Sequence, residues 1–180
     1  MTEPLLLRPS TVDDIAAMTH IYADAVRSGT GSFELVAPDA AQMAQRRAAV
    51  LDAGWPWLVA QRGEVVLGFA YAQSFRPRPA YRWCVEDSIY LGRQARAAGI
   101  GRLLLAELIG RCAARGARQM LALIGDAANA GSIGLHRACG FEHRGTLPAV
   151  GWKFERWLDV VLMQRTLGEG SLTPPPDHVQ

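Results

Sequence analysis

A single stretch, Val85 to Leu105, constrains this chain more than any other: it reads as a strand (VEDSIYL), a short loop (GRQARAA) and a helix opening on Gly99-Ile100-Gly101. Val85, Ile89 and Tyr90 have the β-branched and aromatic character of a strand, whereas Ile100, Leu104, Leu108 and Cys112 recur every fourth position, as on one face of a helix. The junction suits an anion. The first turn of a helix leaves about four backbone N–H groups without partners, and the aligned peptide dipoles add positive charge there. Gly99 and Gly101 remove side chains that would keep a pyrophosphate from those donors, and Arg96 offers a cation from the loop. The same spacing also fits a tight turn before an ordinary helix, with Arg96 in solvent. A dinucleotide fingerprint would need a third glycine where Leu104 stands, and a nucleoside-triphosphate loop would need Gly-Lys followed by Ser or Thr, which the chain lacks.

The surviving pattern, Arg96-x-x-Gly99-x-Gly101, resembles the acyl-CoA pyrophosphate loop of the GNAT superfamily of N-acetyltransferases. At 180 residues the chain is long enough for one well-buried core and short for two domains. The 19 Lys plus Arg nearly balance 17 Asp plus Glu, and the formal charge of +2 gives no general attraction to nucleic acid or an anionic membrane. The three cysteines, Cys84, Cys112 and Cys139, are far apart and form no CxxC pair, which argues against a disulfide framework or a zinc knuckle and fits a reducing cytoplasm. No His, Cys or Asp cluster has metal-ligand spacing, so no metal is expected. The N-terminal apolar run, Leu5 to Leu7, is too brief for a signal peptide, and no stretch approaches the ~20 apolar residues of a membrane span, so a soluble protein is expected.

In chain order, Leu5 to Arg8 reads as a strand ended by Pro9, and Ser10 or Thr11 caps a helix with Ile15, Met18, Ile21, Tyr22 and Val26 on its buried face. Ser28 to Gly31 is a break, and Phe33 follows in a loop, either lining a pocket or plugging the local core. Asp39 caps a second helix that stops near Asp52-Ala53-Gly54. Trp57 to Gln61 and Val65 to Ser74 form a hairpin, and the Pro- and Arg-rich Phe75 to Tyr81 is irregular. Beyond the Gly99 helix, Gly116 is a stop and Met120 to Ile124 a buried strand, which completes a parallel βαβ unit. Asn129 caps a last helix through Cys139, and two further strands are expected near Phe141 to Thr146 and Phe154 to Met163. Residues 1–167 are thus expected to form one domain, with a disordered proline-rich tail over 168–180.

Glu86 is a carboxylate inside a strand-like run, placed to take a proton from an amine directly or through water, and partial burial would raise its pKa toward working pH. By alternation it shares a face with Cys84, Ser88 and Tyr90, while Asp87 points the other way; the plainer reading is a strand-edge carboxylate paired with Arg82. His136 is the second candidate, although a lone helix histidine is commonly a packing or surface residue. Ser132 and His136 at i, i+4 lack the third group that a serine-hydrolase arrangement needs. Trp152, Phe154 and Trp157 read as core or interface.

The runs AYRWCVEDSIYL, RAAGIGRLLL, LIGDAANAGSIGLHRACGF and GWKFERWLDV together resemble, in order and spacing, the phosphinothricin acetyltransferase and methionine sulfoximine/sulfone acetyltransferase branch of GNAT, up to about residue 166. The resemblance implies an α/β single-domain GNAT fold, a mixed seven-stranded central sheet flanked by about four helices, and a homodimer. It implies acetyl-CoA as co-substrate, Glu86 as general base and His136 near the thiolate. The backbone of Ile89, Tyr90 and Leu91 would meet the pantetheine, and Arg96, Ala97, Ala98, Gly99, Ile100, Gly101 and Arg102 would hold the pyrophosphate, with Asn129 on the CoA arm. Phe33, Arg76, Arg78, Tyr81 and Cys84 would meet the acceptor, a small amino-acid-like amine; a solvated fate for both arginines remains open. Two departures stand out: Cys84 occupies a common Thr position, and Arg96-Ala97-Ala98 replaces R-G-x or Q-R-x. Acetylation of a protein or peptide amine and a non-catalytic CoA-binding regulatory module are the alternatives.

Overall fold

The computed structural model describes residues 3–175. Strand β1 (Leu5–Pro9) leads through a 3-10 turn into helix α1 (Ile15–Ser28); α2 (Ala40–Asp52) follows, then β2 (Trp57–Arg62), β3 (Val65–Ser74) and β4 (Cys84–Leu91). Helix α3 (Ile100–Ala114), β5 (Gln119–Gly125), α4 (Ala130–Ala138), β6 (Glu142–Lys153) and β7 (Arg156–Thr166) complete the chain. The seven strands make one mixed sheet in the order β1-β2-β3-β4-β5-β7-β6. Every neighbouring pair is antiparallel except β4 and β5, which α3 joins in parallel as the sequence requires.

Local chemistry accounts for the element boundaries. The Asp39 carboxylate accepts the Gln42 N–H at 2.8 Å while the Gln42 side chain accepts the Asp39 N–H, a reciprocal cap that starts α2. Asp14 ends the first turn differently: buried, it takes two 2.7 Å hydrogen bonds from Arg8. Helix α3 buries Ile100, Leu104, Leu105, Leu108, Ile109 and Cys112 against β2, β3 and β4, so the apolar surface read as one face wraps more of the helix than a surface helix needs. The core continues across the sheet through Trp57, stacked on Tyr71 with ring centroids 4.1 Å apart.

Four expectations are corrected. The strand placed at Phe141 to Thr146 runs on to Lys153, because register shifts at His143/Gly145 and Leu147/Gly151 let it keep pairing with β7 past Pro148. Phe154 begins no strand; it sits in the turn with φ +52°. Trp152, Phe154 and Trp157 are not core: they are 56, 49 and 62% exposed. The tail expected to be disordered turns instead, as far as Pro175, against β5, where Arg118 donates to the carbonyls of Gly170 and Pro174. Its remaining residues, 176–180, lie outside the described ones. Among the described residues no helix is long and apolar enough to cross a membrane.

Candidate active site

Strands β4 and β5 pair only over Cys84 to Glu86, opposite Gln119 to Leu121. Beyond Glu86 they part, because β5 continues along β7 to Gly125 while β4 stays with β3 to Leu91. The β5-facing edge of Asp87 to Leu91 therefore carries backbone N–H and C=O groups that the sheet does not use, an edge suited to an extended amide-bearing ligand. A cleft of about 1190 Å³ occupies this opening. Its walls include Glu86 to Leu91, the segment Gly29 to Glu34, the Arg96–Arg102 loop, Asn129, Ser132 and His136.

At one end the cleft meets the N-terminus of α3. Ala97 and Gly99 both adopt left-handed backbone, with φ of +59° and +75°, and such alternation turns successive N–H groups toward one concavity. An alanine held there is strained. The two glycines have different reasons. An added Cβ at Gly99 would meet nothing within 4 Å, so this position is open to an anion and needs glycine for its φ. At Gly101 the Cβ would lie 3.0 Å from Leu91 Cδ1 and 3.3 Å from Leu135 Cδ2, so that glycine serves helix packing, and only its backbone N–H faces the loop's task. Ile100 likewise is core, whereas Arg96 and Arg102 are exposed on the rim. Arg96 lies 3.5 Å from the Asp24 carboxylate, which also takes three hydrogen bonds from Arg93. Asn129 accepts the Ser132 N–H at 3.1 Å and so caps α4 at the cleft wall.

At the vertex where the strands part stands Glu86. It is half-buried, and burial, reinforced by the neighbouring Asp87 charge and opposed by Arg76, holds its pKa above the ordinary carboxylate value. The proposed Arg82 partnership is absent from its surroundings: among the described residues Glu86 forms no ion pair, and the Arg82 guanidinium lies over the Trp83 ring. Phe33 is a wall of the cleft. Arg76, Arg78, Tyr81 and Cys84 are not part of its lining; they stand at the Glu86 end, on β4 itself and on the loop that joins β3 to β4. Cys84 is half-buried, its thiol pushed up by burial and by Glu86, and Arg76 stacks over Phe75, which meets Tyr81 edge-on.

Asp87 was missed as a site residue. It points away from Glu86, as alternation requires, and its Oδ2 lies 3.1 Å from His136 Nε2, with both side chains almost wholly buried. His136 Nδ1 lies 2.8 Å from the Ser132 carbonyl oxygen, which can only accept, so that nitrogen carries a proton. Burial alone would lower the His136 pKa, but the Asp87 carboxylate and the Ser132 carbonyl outweigh it and the pKa is raised. The available signal was a second carboxylate on the inward face of a strand, which cannot stay buried without a partner.

A peptide-edge cleft running from a vertex carboxylate to an N–H-rich helix start fits acetyl-CoA, and the comparisons decide the family. Residues 18–141 match the model of the Acetyltransferase (GNAT) family. The chain belongs to the GNAT acetyltransferases. It is 53% identical over 163 residues to the phosphinothricin N-acetyltransferase of Alcaligenes faecalis, covering 91% of this chain and 83% of that one. It is 42% identical over 167 residues to an L-methionine sulfoximine/L-methionine sulfone acetyltransferase of Pseudomonas paraeruginosa, covering 89 and 94%. The crystal structure of a GNAT superfamily phosphinothricin acetyltransferase from Sinorhizobium meliloti in complex with AcCoA superposes with a TM-score of 0.93 at 47% identity, covering 97% of this chain and 95% of that one. The protein is an acetyl-CoA-dependent N-acetyltransferase with the seven-stranded α/β GNAT fold.

Proposed function

We propose that this GNAT enzyme acetylates the α-amine of a small free amino acid with a polar, tetrahedral side-chain head, of the phosphinothricin, methionine sulfoximine or methionine sulfone type. The observation that carries the reading is Glu86 at the strand vertex, facing the cleft with its pKa held up. An ammonium arriving there gives its proton to Glu86, directly or through water, and the freed nitrogen attacks the thioester carbonyl. The N–C bond forms, the C–S bond breaks, and the surplus proton of the new amide nitrogen passes to the departing thiolate, which leaves as the CoA thiol; with both substrates held in one cleft the transfer is direct. His136 is the second catalytic group of this reading, a protonated ring in the cleft wall whose charge favours the departing thiolate, with Asp87 sharing its Nε2. The pyrophosphate is assigned to the Arg96–Arg102 loop, the pantetheine to the edge of Ile89 to Leu91, and the arm beside it to Asn129.

Arg76 and Arg78, on the proline-stiffened loop beside Glu86, are assigned the acceptor carboxylate, because a planar guanidinium takes a carboxylate through two parallel hydrogen bonds. Tyr81 and Cys84 flank that position and Phe33 is the apolar wall. Homodimerisation through β6 and β7 is part of the proposal: exposed Leu147, Val150, Trp152, Phe154 and Trp157 cluster on those two strands and the turn between them, more apolar surface than an isolated strand pair ordinarily leaves in water. A reducing cytoplasm belongs to the same reading, which three free cysteines support. The test is thiol release from acetyl-CoA with methionine sulfone and with its decarboxylated amine, on wild type, Arg76→Ala and Arg78→Ala. Wild type should prefer the amino acid by roughly 30-fold to 1000-fold, the value of a charge-assisted bidentate contact, and at least one arginine variant should lose that preference. If both discriminate as wild type does, the carboxylate assignment is wrong.

A further inference from the structure

We propose that Lys153, at the tip of the β6–β7 hairpin, is a positioning residue for the acceptor: its ammonium holds the Gly29–Ser32 strap and thereby seats Phe33 in the cleft. The proposal rests on the acceptor reading above. Lys153 is 5% exposed, and Nζ donates to the Gly29 carbonyl at 3.0 Å and to the Ser32 carbonyl at 2.7 Å. A buried ammonium is costly unless its donors are used, and here two of its three protons meet backbone oxygens of one short segment. The tip itself is built to aim the side chain inward. Phe154 and Glu155 form a two-residue turn with both φ angles positive, +52° and +57°, a conformation that glycine or asparagine adopts more readily. Strain of this kind persists only where the surroundings over-determine it.

The strap it holds is the one that carries the cleft wall. Phe33 lies between two glycine backbones. A Cβ on Gly151 would come within 2.9 Å of Phe33 Cζ and nearer still to Cδ2 and Cε2, and one on Gly125 would come within 2.8 Å of Cε1. Gly151 lies two residues before Lys153 on β6, so one strand supplies both the floor under the ring and the donor that pins its backbone. On the other side, Tyr22 donates to Glu34 at 2.9 Å and Arg46 reaches the same carboxylate at 2.6 Å. The ring is therefore held between the α1–α2 side and the hairpin tip. A hairpin reaching a segment more than a hundred residues earlier sets the width of the cleft beside Glu86.

Lys153→Met keeps the stem and removes the donors. The acceptor KM should rise about tenfold or more, the scale of a lost hydrogen bond to a charged group, with a smaller change in kcat and an unchanged acetyl-CoA Kd. Amides of the strap should exchange with deuterium about tenfold faster or more, with α3 unaffected. Lys153→Arg, which retains donors, should recover part of the KM. A change that only destabilised the fold would lower Tm without splitting KM from kcat. If Lys153→Met does not fold, Lys153→Gln, which is shorter and uncharged and keeps only amide N–H donors, is read the same way. Wild-type acceptor KM or wild-type strap exchange in the folded variant overturns the proposal. Should wild type acetylate no amino acid, the acceptor reading fails, and the exchange measurement still decides whether Lys153 holds the strap.

Discussion

The buried Asp87–His136 pair makes a thermodynamic prediction that does not depend on knowing the acceptor. The two side chains are 1 and 3% exposed, so solvent screens their interaction little. His136 is raised above its ordinary value of 6.5 in the folded state. A group with a raised folded pKa contributes stability that is fully present below the unfolded pKa and lost as pH rises through the folded pKa. Wild type should therefore lose stability between about pH 6.5 and the folded pKa of His136, with a slope approaching about 1.4 kcal/mol per pH unit for one proton. Asp87→Asn removes the charge, yet its amide can donate to the neutral ring at Nε2 while Nδ1 keeps its bond to Ser132, so the variant should remain folded. Removing one partner of a buried ion pair costs about 3–5 kcal/mol when nothing replaces it; with the amide in place the cost should be about 3 kcal/mol or less near pH 6. The difference should shrink as pH rises through the folded pKa of His136 and the wild-type ring gives up its proton. Urea unfolding at several pH values measures this directly. A gap between the two proteins that does not narrow as pH rises from about 6 would refute an imidazolium held by Asp87.

Glu86 carries a related prediction for stability: its folded pKa is raised by burial, so the stability it contributes is lost as pH rises through that pKa, and Glu86→Gln should be more stable than wild type near neutrality. The advantage should fade in acid, and thermal unfolding near pH 4 and near pH 7.5 checks it; a variant less stable than wild type near neutrality would contradict the burial argument. Gly151→Ala places a methyl group inside the Phe33 contact distance, so the ring must move. Overpacking of this kind costs about 1–3 kcal/mol, and urea unfolding together with the acceptor KM should show both the loss and a weaker acceptor. An unchanged KM would mean that Phe33 does not bound the acceptor.

What the sequence revealed follows physical locality. The β4-loop-α3 unit was readable because strand composition, two glycines and a four-residue apolar period lie within one stretch, and Asn129 was readable because a cap acts on residues three positions away. Asp87 and His136 were each visible, but their pairing was not. It depends on which helix covers the inward face of β4, and the two are 49 residues apart. Lys153 was hidden in an aromatic run, and its turn lacks the glycine or asparagine that marks a hairpin with two left-handed residues. β6 was read too short because Gly145, Pro148 and Gly151 interrupt the alternation, and the bulges that absorb them have no signature in composition. The prolines suggest disorder, whereas the described part of the tail, through Pro175, is held by Arg118, more than fifty residues earlier.

The measurement closest to the central claim is the turnover of Glu86→Gln with acetyl-CoA and methionine sulfone, beside its acetyl-CoA affinity by calorimetry. The variant should lose roughly 10²-fold or more in kcat/KM, the usual scale for removing a general base, while acetyl-CoA binds as in wild type. The wild-type profile should rise with an acid limb above the ordinary carboxylate pKa, as the direction of the Glu86 shift requires. Turnover of Glu86→Gln equal to wild type from about pH 6 to about pH 9 would contradict the assignment of Glu86 as the base that frees the attacking amine.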